Sequence, residues 1–105
     1  MLNEENRKKC LELLNYYGEV PQLRMQIEES AELILAICKL FRGGTLDDVK
    51  GEMTDVYVML EQLCVMYNVS QEELNERAEK KLDRAIMRMK NEQEALRRKE
   101  AEIPY

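Results

Sequence analysis

Apolar residues recur along most of this chain three and four positions apart, the spacing of a helix buried along one side. Cys10, Leu11, Leu13, Leu14 and Tyr17 make such a face and predict a first helix from about Asn3 to Tyr17. Gly18 supplies the left-handed conformation that ends it. Pro21 suits the first turn of a second helix, where its missing N–H costs nothing, and Gly43-Gly44 stops that helix at about Phe41. Thr45 is placed to cap a third helix, with Asp47 and Asp48 in the first turn, where the helix dipole favours negative charge. Met53, Val56, Tyr57, Leu60, Leu63, Cys64 and Tyr67 carry it to a break at Asn68-Val69. Ser70 and Glu73 have capping-box spacing for a fourth helix, strong through Leu74, Ala78, Leu82, Ala85, Ile86 and Met89.

No stretch alternates apolar and polar residues long enough to make a strand. The expected fold class is therefore all-α. With short connections between antiparallel neighbours, the economical architecture is a four-helix bundle in a single domain, residues 1–105. Its core spans about 18–89, and the mostly charged residues 90–105 form an extension, solvated, fraying or laid against a partner chain. The apolar pair Ile103 and Tyr105 closes that extension. A chain of 105 residues buries only about 60–65% of its unfolded surface. The second and third helices also carry apolar residues on more than one face. Both features predict a homodimer or homotetramer.

Charge narrows the function classes. The net charge is −5, and residues 1–69 carry all of it, with twelve acids against seven bases. Residues 70–105 balance, nine against nine. No strongly basic segment offers the footprint of a nucleic-acid polymer binder. The longest apolar run, Leu33 to Cys38, is too short to span a membrane. Asn3, Glu4 and Glu5 follow the first residues at once, unlike a secretory leader. Cys10, Cys38 and Cys64 lie within apolar periodicity and read as reduced, buried thiols of a cytoplasmic protein.

Candidate chemistry lies on the second and third helices. Glu28, Glu29 and Glu32 form an EExxE string, and Glu52 and Asp55 form ExxD. Residues three apart on a helix are neighbours, so each string projects two carboxylates side by side. Antiparallel packing lets Glu29/Glu32 face Glu52/Asp55. Glu32 opens the most apolar run of the chain, and Glu52 and Asp55 flank Met53 and Val56. Acids in such settings are seldom buried unless paired or metal-bound, and a divalent cation relieves their mutual repulsion. The chain contains no histidine, which removes histidine-containing di-iron and catalytic zinc sites. Oxygen-only ligands suit Mg2+, with Mn2+ or Ca2+ as alternatives, and Mg2+ pairs naturally with substrate phosphates. A solvated acidic helix face is the competing explanation for the same strings.

The segments QLRMQIEESAELILAICK (22–39) and DDVKGEMTDVYVMLEQL (47–63) resemble the MazG-like all-α nucleoside triphosphate pyrophosphohydrolases, over about residues 18–89, in the small single-domain form. The resemblance implies hydrolysis of a nucleoside triphosphate to monophosphate and pyrophosphate, by metal-activated water attacking the α-phosphorus. It implies Glu29, Glu32, Glu52 and Asp55 as Mg2+ ligands and Glu28 as an outer partner or base orienting the water. Lys81 and Arg84 become candidate phosphate contacts, and Lys39 is a further one. For Lys81 and Arg84 the plain alternative is a surface pair with Asp83 or Glu79, and for Lys39 it is compensation of the helix dipole. Some relatives carry an asparagine close to these bases. Here the nearest is Asn75, well upstream of Lys81, a departure from the pattern.

Nothing in the sequence chooses the base. Tyr16 or Tyr17 is positioned to stack on one, whereas Tyr57 and Tyr67 fit the core pattern. The alternative function is a non-catalytic helical oligomer that binds a partner or a nucleotide without turnover.

Overall fold

Local capping chemistry sets where the helices begin. In the computed structural model, which describes residues 2–102, the side chain of Asn3 accepts a hydrogen bond from the Asn6 amide at 2.8 Å. Helix α1 then runs Glu4–Tyr17. Gly18 ends it at φ +87°, its N–H donating to the Leu14 carbonyl at 2.8 Å. Helix α2 follows without a pause, Glu19–Leu40, so Pro21 falls in its first turn as the pattern predicts. The Thr45 hydroxyl accepts from the Asp48 amide at 3.2 Å and opens α3, Leu46–Tyr67. Asn68 adopts the left-handed conformation at φ 52° and ψ 46°, its N–H closing on the Cys64 carbonyl. Ser70 accepts from the Glu73 amide at 3.1 Å to start α4, Gln71–Glu102.

The described residues contain these four helices and no strand, so the chain is all-α. None of the helices is long and apolar enough to cross a membrane. They belong to two compact units, divided between Val69 and Ser70. In the first unit α2 packs chiefly against α3, and α1 lies mainly against α3 with a smaller contact to α2. The loop between α2 and α3 reverses tightly. The Lys39 carbonyl accepts from both Arg42 and Gly44, at 2.9 and 2.7 Å. At the far end of the hairpin the Tyr67 hydroxyl donates to Glu19 Oε1 at 2.7 Å, joining the end of α3 to the start of α2. The two helices are therefore antiparallel, as the facing of the acidic strings requires.

The core of this unit is small. Cys10, Ala36, Val49, Met59 and Cys64 are buried, together with the polar side chains Gln22, Glu61 and Gln62. Three sequence expectations need correction. Tyr57 and Tyr67 are exposed rather than core, Tyr67 because its hydroxyl is bound to Glu19 at the rim. Cys38 is exposed, while Cys10 and Cys64 are buried, and all three thiols are free. Leu60 and Met53 also remain exposed, because α1 and α2 cover other faces of α3.

The second unit is α4. Its helix continues unbroken through the charged stretch to Glu102, past the point where apolar periodicity fades at Met89. Exposed i,i+4 pairs accompany it, Arg77 to Glu73 at 3.1 Å and Arg98 to Glu94 at 3.4 Å, each a small contribution to the helix. The Glu73 carboxylate is thereby turned toward Arg77, leaving the amide-to-Ser70 bond as the realised half of the expected capping box. Ile103 and Tyr105 lie outside the described residues.

Candidate metal centre

Helix periodicity and the antiparallel hairpin together bring the two acidic strings onto one site. Glu29 reaches from the middle of α2, and Glu52 and Asp55 from the first half of α3. One carboxylate oxygen from each of these three lies within 4.8 Å of the other two. Glu29 and Glu52 are half-buried and Asp55 is exposed. The Oε2 atoms of both Glu29 and Glu52 are inaccessible to solvent and have no hydrogen-bond partner.

The electrostatics follow from that crowding. Burial is the first cause that pushes the Glu29 carboxyl above the usual carboxylate range. The negative charges of Asp55, Glu32 and Glu52 add to it, and so does a hydrogen bond with Asp55 that only a protonated carboxyl can make. Glu52 is raised likewise, by burial first, then by Glu32 and Asp55, by a shared hydrogen bond with Glu32 and by Asp48. The carboxylates thus crowd across the hairpin, Glu29 beside Asp55 and Glu52 beside Glu32. Two ways of relieving such a cluster exist: a proton held between each pair, or a cation that takes the orphaned oxygens.

A cleft of about 630 Å³ opens beside the cluster. Glu32, Lys39, Glu52 and Asp55 line it, and so do Thr45, Asp47 and Asp48 from the start of α3. Such a volume lies within the range of small-ligand sites. Lys39 is the cation of this lining, two turns beyond Glu32 on α2. Of the residues singled out in the sequence, then, Glu29, Glu32, Glu52, Asp55 and Lys39 converge. Glu28 is exposed and does not line the cleft. Lys81 and Arg84 belong to the second unit, where they share a groove of α4 with Glu73, Glu76, Arg77 and Lys80. Arg84 Nε donates to the Lys80 carbonyl at 3.4 Å.

Asp48 is not only a dipole partner at the start of α3: it lies one turn before Glu52, and its charge helps raise that carboxyl. The spacing 48, 52, 55 is a single helical face, and that periodicity was the signal that marks it. Tyr16 and Tyr17 stand at the end of α1 with their rings edge-to-face, centroids 4.8 Å apart. Tyr17 lines a separate, largely apolar cleft with Leu13, Met25 and Met59.

The donor set fits a hard divalent cation. The converging acidic side chains offer only carboxylate oxygens, the kind of donor that Mg2+ and Mn2+ prefer. The two orphaned Oε2 atoms are the kind of buried acceptor that such an ion satisfies. Comparison with known proteins adds no name to this site: no protein-family model, no curated protein and no solved structure matches the chain.

Proposed function

We propose that this protein is a Mg2+-dependent nucleoside triphosphate pyrophosphohydrolase, converting a (d)NTP and water to the monophosphate and pyrophosphate. The observation that carries this reading is the pair of buried, partnerless oxygens, Glu29 Oε2 of α2 and Glu52 Oε2 of α3, in a cluster completed by Asp55 of α3. The likeness of the 22–39 and 47–63 segments to MazG-like enzymes supports the choice of reaction.

In this reading Glu29, Glu32, Glu52 and Asp55 hold the ion. When bound, Mg2+ supplies Lewis-acid stabilisation of phosphate oxygens and lowers the pKa of water. The chain's own residues do the rest. The carboxylates keep the cluster anionic and fix its position on two packed helices, which favours orientation over flexibility. Lys39, in the lining of the same cleft, offers an ammonium group to a phosphate oxygen. Glu28, exposed and outside the lining of the cleft, enters only through the resemblance, as an outer partner or a base orienting the attacking water. Lys81 and Arg84 enter only through the resemblance, as cations suited to phosphate.

The test is pyrophosphate release from a panel of dNTPs and NTPs at roughly 5–10 mM Mg2+, an excess of metal over triphosphate. Glu29→Gln and Glu52→Gln serve as controls. Release that disappears in both controls is the expected result and names the substrate. Release that survives them places the activity elsewhere, and no release from any nucleotide moves the protein to a binding role.

A further inference from the structure

The inner faces of α2 and α3 meet along one seam, whose register follows from the acids. Glu29 of α2 stands beside Asp55 of α3. In an antiparallel pair, each step back along α2 is matched by a step forward along α3. Four residues back from Glu29 is Met25, and four on from Asp55 is Met59. Seven back is Gln22, and seven on is Gln62. Steps of four and seven keep to one side of a helix, so these residues share the seam. The structure agrees with that register: Met25, Met59, Gln22 and Gln62 line one cleft of about 300 Å³, with Tyr17 of α1 beside them.

The two glutamines are the unexpected part of this lining. Gln22 is 7% exposed and Gln62 1%. The Oε1 atom of Gln62 is inaccessible to solvent and has no hydrogen-bond partner among the described residues. A buried amide acceptor left unmet destabilises a fold, and an apolar side chain of the same size fills the same space without that loss. The cleft also has walls suited to a ring. Met25 and Met59 present adaptable thioethers that pack well on aromatic faces, and Tyr17 offers a stacking surface. No residue of the lining is charged, so a phosphate finds no counter-charge there. Each primary amide brings two donors and one acceptor, which together match the mixed edge of a heterocycle.

We propose that this cleft takes the base of the nucleotide, and that Gln22 and Gln62 select it by hydrogen bonds to its edge. The inference rests on the reading of the carboxylates as the metal site at the α-phosphate. Given that reading, the seam sets the order of the parts. The Lys39 cleft opens from the acids toward the α2–α3 loop, and the glutamine cleft lies on the opposite side of them. At a rise of about 1.5 Å per residue, the methionines lie about 6 Å and the glutamines about 10 Å beyond the level of Glu29 and Asp55. A triphosphate tail directed at Lys39 and a base directed at the glutamines leave the α-phosphorus at the acids, with the sugar between them and the methionines. Selection then has a physical cause. A base whose edge lacks the matching N–H leaves buried amides unpaired, and such sites discriminate more sharply than apolar ones.

The experiment follows methionine-methyl and glutamine side-chain-amide NMR signals of the full chain in EDTA. Deoxyadenosine, deoxyguanosine, deoxycytidine, thymidine and deoxyuridine are added in turn, and then their monophosphates. A nucleoside carries no phosphate, and EDTA removes metal, so neither the carboxylates nor turnover contributes to the signal. The expected result is saturable shifts at Met25, Met59 and Gln62, with one base favoured at least about tenfold over the weakest. Gln62→Leu is expected to weaken the favoured nucleoside at least about tenfold while the melting temperature is kept or raised. A glutamine with a purely structural role gives the opposite pair of results. Should that variant fail to fold, the native chain decides the matter: the favoured base, methylated at its edge N–H groups, is expected to bind at least about tenfold more weakly. No shift at these residues from any nucleoside or monophosphate overturns the proposal, and so do shifts that edge methylation leaves unchanged. Pyrophosphate release without cleft shifts removes the base site and leaves the proposed activity standing. Cleft shifts without pyrophosphate release do the reverse.

Discussion

Glu29 and Asp55, one from each arm of the α2–α3 hairpin, bring carboxylate oxygens within 4.8 Å of each other, close enough that the Asp55 charge adds to burial in raising the Glu29 carboxyl. With Glu52 and Glu32 beside them, they form a cluster whose charge the chain itself does not neutralise. The first two predictions follow from that imbalance.

Removing a charge from the cluster is expected to stabilise the metal-free chain and to abolish its response to metal. Glu29→Gln and Glu52→Gln each raise the melting temperature in EDTA by a few degrees. Each also loses the increase that Mg2+ gives the wild-type chain through mass action. Pyrophosphate release falls by about two orders of magnitude or more. Thermal melts with EDTA and with Mg2+ provide the first readout. A wild-type chain indifferent to Mg2+ contradicts the metal reading.

The pH dependence of the metal-free chain has a definite sign. Glu29 and Glu52 both titrate above the ordinary carboxylate range when folded. The folded chain therefore holds these protons where the unfolded chain has released them, so stability falls as pH rises. Their contribution is fully present below the unfolded carboxylate pKa and is lost as pH climbs through the raised folded values. If Mg2+ binds as proposed it competes with these protons, and its stabilising effect is expected to grow across the same window. Urea midpoints with and without Mg2+ from about pH 4 to 8 check both slopes.

Two glycines near the cleft answer oppositely to alanine. A Cβ at Gly44 meets the Lys39 carbonyl oxygen at 2.8 Å, in the turn that holds the hairpin closed. Gly44→Ala is expected to cost about 1–3 kcal/mol. Gly51 sits inside α3 with nothing within 4 Å of an added Cβ. Gly51→Ala is expected to add about 0.5–1 kcal/mol through helix propensity. Because Gly51 also lines the cleft, the same variant lowers turnover if substrate lies there. Chemical denaturation ranks the two variants, and turnover of Gly51→Ala tests the cleft separately.

Glu61 is the least expected member of the core. It is 1% exposed, its Oε1 has no partner, and its charge joins burial in raising the Cys10 and Cys64 thiols. An apolar side chain of similar length removes an unsatisfied acceptor without opening a cavity. Glu61→Met is expected to gain about 1–3 kcal/mol, read as a higher urea midpoint. A loss instead would assign the carboxylate a structural partner.

What could be read in advance was whatever depends on near neighbours in the chain. Asn3, Thr45 and Ser70 mark helix starts because a short oxygen-bearing side chain meets an amide three residues on. Gly18 ends its helix because a positive φ favours a residue without Cβ. The three-residue spacing of Glu29/Glu32 and of Glu52/Asp55 places each pair on one face by helix geometry alone.

The rest depended on which faces of the helices meet. Met53, Leu60 and Tyr67 share the apolar pattern of Cys64, yet of these four only Cys64 is buried, because periodicity fixes a stripe and says nothing of what lies across from it. Glu61 reads as an outward charge from its residue type, and it is buried because α1 packs mainly on α3. Asp48 joins the cleft through the hairpin's turn. Helices, their ends and the side-by-side carboxylates were determined by the sequence by itself, since those are local properties of the backbone. The crossing of Glu29 with Asp55, the raised carboxyls and the two orphaned oxygens were decided by tertiary structure, since burial and charge crowding arise only when two helices share the same space.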